Sequence, residues 1–155
     1  MCPYGCGKTT VTGTIISNLP NTTTVNVKVL AVAPSNAATD HMTEALDRHG
    51  LKVLRIVAKS QEPMIDPSLT ISQYCLHIKL KLMNHPEGIT PSEKTKKETE
   101  ESMKLIEEAD VILTTCASAR METIKSAGKF IAIIMDESCQ VICFNFDMAS
   151  ITHIF

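Results

Sequence analysis

The chain begins MCPYGCGKTT, a spacing that could bind phosphate. A phosphate-binding loop follows the pattern G-x-x-x-x-G-K-[ST]: backbone N–H groups wrap the phosphates, lysine adds a point charge and the hydroxyl ligates Mg²⁺. Gly5, Gly7, Lys8 and Thr9 stand where such a loop needs them. Cys2 occupies the place of the first glycine, where a tight turn ordinarily uses glycine's conformational freedom. The residues expected to hold a nucleotide are therefore Gly5, Cys6, Gly7, Lys8, Thr9 and Thr10. A second group lies far along the chain, where the apolar run FIAIIM passes directly into Asp136 and Glu137. An acid at the C-terminal end of a buried strand can hold Mg²⁺ beside a nucleotide, which suits Asp136 and, from the loop, the Thr9 hydroxyl. A neighbouring glutamate, Glu137, can orient and deprotonate an attacking water. Taken by itself, an acidic pair often does nothing more than end a strand. A chance G-x-G-K-[ST] in a chain this long arises only about once in two hundred, so the two groups together point to nucleotide chemistry.

The elements that must carry these groups alternate. Val11, Ile15, Ile16 and Leu19 fall at helical spacing after the loop, and that helix is expected to end before Pro20. Val27–Ala33 (VKVLAVA) is a nearly continuous apolar run, as in a strand covered on both faces. A helix is expected over Thr39–Arg48, stopped by Gly50, followed by an alternating strand, Lys52–Val57. Apolar strands are expected again at Val111–Cys116 and Phe130–Met135. Strands alternating with helices of this length mean a parallel α/β sheet. Between them, Lys59–Leu82 has no clean period, and Thr90-Pro91-Ser92-Glu93 resembles a capping box opening a charged helix to about Ala109. The mixed signs on that helix fit a solvated face or inserted arm better than a nucleic-acid patch.

Composition narrows the classes. The chain of 155 residues is 44% hydrophobic and 21% charged, which suits one globular domain with a core. A net charge of −2 carries no global basic field. No apolar run reaches the length of a membrane span, and the N-terminus lacks the order of a signal peptide. Six cysteines in such a chain read as reduced thiols. Cys2/Cys6 and Cys139/Cys143 lack the C-x₂-C spacing of a zinc knuckle, so no metal other than Mg²⁺ is expected. A small-molecule kinase would need grouped arginines, whereas Arg48, Arg55 and Arg120 are scattered.

Five blocks in order resemble one family. LAVAPSNAATDHM (30–42), GLKVLRIVAKS (50–60), EEADVILTTCASA (107–119) and DESCQ (136–140), with the loop, are similar to the superfamily 1 (1B) helicases of the branch holding the nonsense-mediated-decay RNA helicase and senataxin. The resemblance implies a P-loop NTPase fold of RecA type: a parallel α/β sheet with flanking helices and a helical insertion over 59–108. It implies ATP and Mg²⁺ as cofactors and single-stranded RNA or DNA as partner. Lys8, Glu137 and Gln140 would be catalytic, with Gln140 sensing the γ-phosphate. Pro34, Ser35 and Asn36 would touch the strand's backbone from one loop, and Thr115 and Cys116 from another. Asn36 is also a candidate helix cap.

In that family ATP sits between two RecA-like domains. Residues 1–155 read as part of the first, truncated at both ends, with the second motor domain absent and a gap expected in the sheet where the loop's own strand would lie. Weak or no ATPase activity is then expected of the chain in isolation. The expected compartment is the cytoplasm, with the nucleus also open. The alternative reading is a non-catalytic nucleic-acid- or protein-binding module derived from such a helicase.

Overall fold

A computed structural model describes residues 8–18, 28–83, 91–128 and 130–136. Its elements run α1 (Lys8–Asn18), β1 (Lys28–Ala33), α2 (Asn36–Asp47), β2 (Val53–Arg55), α3 (Leu76–Leu82), α4 (Pro91–Glu108), β3 (Val111–Thr115), α5 (Glu122–Lys125) and β4 (Phe130–Met135). Two 3₁₀ turns, Glu62–Met64 and Thr70–Tyr74, lie between β2 and α3.

All strand pairings are parallel, in the order β2-β3-β1-β4. Val53, Val111, Val29 and Ala132 form one rung across the sheet, and Leu54, Ile112, Leu30 and Ile133 the next. Successive rungs point to opposite faces because side chains alternate along a strand. The first joins the core containing Ile16 of α1 and Met42 and Leu46 of α2. The second joins the core under Leu76 of α3, Ile106 of α4 and Ile124 of α5. Helices thus cover both faces, which is why Val111, Ile112 and Leu113 of β3 are fully buried and the strands read as apolar runs. Each such side chain removed from water contributes about 1.5–3 kcal/mol.

The expected α/β architecture and the span of β4 are therefore borne out, with differences of detail. The gap expected in the sheet is not found among these strands, since Val29–Val32 pair directly with Ala132–Met135. The second strand does not alternate: residues 53–57 are all buried, because the sheet is covered on both sides. Helix α2 begins at Asn36, three residues before the expected start. Its stop is as expected, with Gly50 at φ +75° directly after the last turn, a conformation costly for side chains with a Cβ. On α1 only Ile16 of the apolar set is buried among the described side chains, whereas Val11 and Ile15 are exposed. Helix α4 begins on its proline and inserts Ile106 into the core near its C-terminal end, leaving residues 92–97 in solvent. Thr90 of the expected capping box lies outside the described residues.

Candidate functional site

The site begins where β1 ends. Ser35 takes an extended conformation, and its Oγ accepts the N–H of Ala38 at 3.2 Å. Its carbonyl accepts both the N–H of Thr39 at 3.0 Å and the Thr39 hydroxyl at 2.8 Å. The first turn of α2 is thereby capped by Ser35 and not by Asn36, correcting the sequence reading: a cap needs non-helical backbone angles, and Asn36 is already helical. Asn36 is exposed on that first turn.

Two neighbouring strands fasten their own exits to β1. The N–H of Cys116, just past β3, donates to the carbonyl of Ala33 at 2.9 Å. The N–H of Asp136, just past β4, donates to the carbonyl of Val32 at 2.9 Å. Pro34, Ser35 and Asn36, Thr115 and Cys116, and Asp136 therefore meet at the C-terminal edge of the sheet, where open α/β folds bind their ligands. Thr115 is half-buried, and its hydroxyl bonds that of Ser118 at 3.1 Å. The Cys116 thiol is buried, burial pushes its pKa up, and its N–H donates to the Ala33 carbonyl, so it anchors the turn. Thr114 ties in β2, its hydroxyl donating to the carbonyl of Ile56, just past that strand, at 2.9 Å.

The loop residues divide. Lys8, Thr9 and Thr10 form the first turn of α1, a helix N-terminus whose N–H groups and dipole favour anions. Gly5, Cys6, Gly7, Glu137 and Gln140 lie outside the described residues, as do the four cysteines weighed for zinc. Asp136 is half-buried at the strand end. Among the described residues no three His, Cys, Asp or Glu side chains converge on a metal. The Asp136 carboxylate at the strand end is an oxygen donor of the kind Mg²⁺ takes, an ion usually held by one or two carboxylates, substrate phosphates and water. A cavity of about 500 Å³ lies by Lys52, Val53 and Ala109 at the N-terminal edge of the strands, away from this convergence.

One group at the site went unread in the sequence. Arg55 ends β2 on the rung with Leu113, Ala31 and Ile134, facing α2. Its guanidinium, 2% exposed, pairs with Asp40 and donates to Asn36 Oδ1 at 3.3 Å. The signal available was an arginine inside the apolar stretch KVLRIV, a position a charge occupies only when paired.

Comparison with known proteins adds the following. An AAA domain family model matches residues 1–85 and 79–145. The chain is 33% identical over 154 residues to a regulator of nonsense transcripts 1 homolog of Neurospora crassa, covering 89% of this chain and 14% of the relative. It is 34% identical to a regulator of nonsense transcripts 1 homolog of Drosophila melanogaster, covering 89% of this chain and 12% of the relative. It is 33% identical to the ATP-dependent helicase NAM7 of Saccharomyces cerevisiae, covering 89% of this chain and 15% of the relative. The chain thus spans about a seventh of the length of these relatives. No helix among the described residues is long and apolar enough to cross a membrane.

Proposed function

The chain belongs to the AAA domain family, in the nonsense-mediated-decay branch of superfamily 1, and from that premise we propose that it forms part of an ATP-driven helicase motor. The observation that carries this reading is the convergence of Ser35 and Asn36, Thr115 and Asp136 at one edge of a parallel sheet. In this reading ATP lies on Gly5–Thr10 at the start of α1, with Lys8 against its phosphates. Thr9 and Asp136 supply hard oxygen ligands for Mg²⁺, which when bound neutralises charge on the phosphates. Glu137 orients the attacking water and takes its proton, and Gln140 senses the γ-phosphate. Pro34, Ser35, Asn36 and Thr115 meet the sugar-phosphate backbone of a single strand, a contact carrying no sequence information.

The helices between β2 and β3 are, in the same reading, an insertion spanning 59–108. A second RecA-like domain faces this one and contributes arginine to the transition state. Translocation along RNA or DNA is the activity of that larger machine. Its compartment, in the same reading, is the cytoplasm.

The test is ATP hydrolysis and nucleotide binding by the chain with and without single-stranded RNA. RNA-stimulated turnover, or nucleotide binding coupled to RNA binding, is expected to vanish in Lys8→Ala, and turnover in Glu137→Gln. RNA binding indifferent to ATP and to both substitutions refutes the motor reading in favour of a non-catalytic module.

A further inference from the structure

Arg55 holds an unusual place. A guanidinium 2% exposed sits at the end of an apolar strand, beneath the first turn of the helix whose start forms the strand-binding loop. Two of its three polar neighbours, Asn36 and Asp40, are four residues apart on α2 and therefore share one helix face. The third is Cys75, whose Sγ lies 4.0 Å away and whose backbone bridges Arg55 at the outer edge of β2. One planar fork thus spans two acceptors on α2, which a lysine ammonium on its flexible stem would not match.

The consequence falls on Asn36. Arginine has donors and no acceptor, so the atom of Asn36 facing it must be the amide oxygen. The amide N–H₂ group is then directed away from Arg55, on a residue exposed at the edge where the loops converge. We propose that Arg55 is a positioning residue for the strand-binding loop: by engaging Asn36 Oδ1 it turns the Asn36 N–H donors outward, toward a phosphate of the bound strand. This rests on the reading that the 34–36 loop meets nucleic acid. Asp40 supplies the countercharge that lets the guanidinium stay buried. Burial raises the Asp40 pKa, and the Arg55 charge opposes that rise, as expected where the two charges support one another.

A purely structural role, in which Arg55 only compensates Asp40, makes a different forecast, and a double-mutant cycle separates the two. Binding of a labelled oligouridylate to the 155-residue chain is read by fluorescence anisotropy, with folding of each variant checked by thermal unfolding. Asn36→Ala and Arg55→Lys are each expected to weaken binding about fivefold, and the double variant no more than Asn36→Ala. Effects that multiply instead overturn the proposal, since Arg55 then acts otherwise than through Asn36. Should Arg55→Lys not fold, two measurements decide without it. The Asn36 side-chain amide signal, assigned through Asn36→Ala, must shift as oligouridylate is added to the unchanged chain. Asn36→Asp, which keeps the acceptor for Arg55 but loses the donors, must bind at least as weakly as Asn36→Ala. An unmoved amide or a tight-binding Asn36→Asp overturns the proposal. An unchanged chain that does not bind the oligonucleotide overturns the strand-binding reading itself, and this inference with it.

Discussion

Ser35→Ala isolates the contact that starts α2 and so presents Asn36 and Asp40. The hydroxyl it removes accepts one backbone N–H, from Ala38 at 3.2 Å, in an exposed setting. Water can replace that acceptor, so the full penalty of a buried unpaired donor does not apply. The two bonds to the Ser35 carbonyl are untouched by the substitution. What remains is the ordinary value of an N-cap, about 1 kcal/mol. In a domain of this size that lowers Tm by about 2–4 °C.

Glycine provides the control. Ser35→Gly should cost only a few tenths of a kcal/mol, because glycine exposes the helix's first N–H groups to water better than alanine does. The assay is urea unfolding of the three proteins followed by circular dichroism, with a shifted midpoint and an unchanged slope marking a true stability effect. The reasoning is refuted if Ser35→Ala loses less than about 0.3 kcal/mol, or if Ser35→Gly loses as much as Ser35→Ala.

Thr114→Val keeps the shape of a fully buried side chain but strands the Ile56 carbonyl, now bonded at 2.9 Å, and should cost about 1–3 kcal/mol in the same assay. Thr114→Ser should recover most of that loss, and a neutral Thr114→Val would show that the bond contributes nothing. His77 gives a pH signature. Burial pushes its pKa below the ordinary value, against the opposing pull of Glu62, and its Nε2 is buried without a hydrogen-bond partner. The unfolded chain therefore takes up that proton first as pH falls, and stability is lost below about pH 6.5. His77→Gln should flatten the slope of stability against pH between about 5 and 7, and an unaltered slope would exclude His77 as its source.

What could be read from the sequence was governed by burial. Residues 28–33, 111–115 and 130–135 announce themselves as strands because both sheet faces are covered, so all but Lys28, Thr114 and Thr115 are apolar. The same cause hid the character of 52–57, where an arginine among apolar residues looked like alternation. Strand order was not legible, since apolar periodicity says which residues are buried and not which strands are neighbours. Helical spacing likewise picked out Val11, Ile15 and Ile16 as one set, but only packing decides which of them is covered. At the site, Asp136 was legible because an acid after an apolar run marks a strand's end. The Arg55 cluster was not, because Asn36, Asp40 and Cys75 lie 15 to 20 residues from it along the chain.

That cluster and the two strand-exit bonds bear on how the proposed motor would transmit force. Cys116 and Asp136 are fastened to consecutive carbonyls of β1, Ala33 and Val32, and Arg55 grips the helix that follows. Moving the Asp136 turn relative to the Asn36 turn means breaking ladder-type bonds, each worth about 0.5–1.5 kcal/mol, together with a buried ion pair. In the proposed motor, a strand bound at Asn36 and Thr115 and a nucleotide bound beside Asp136 would rest on one platform. Changes driven by the nucleotide would then fall between this platform and whatever faces it, with the loops carried as a unit. The sheet edge would fix where the strand is held, and movement would come from a second body closing on it.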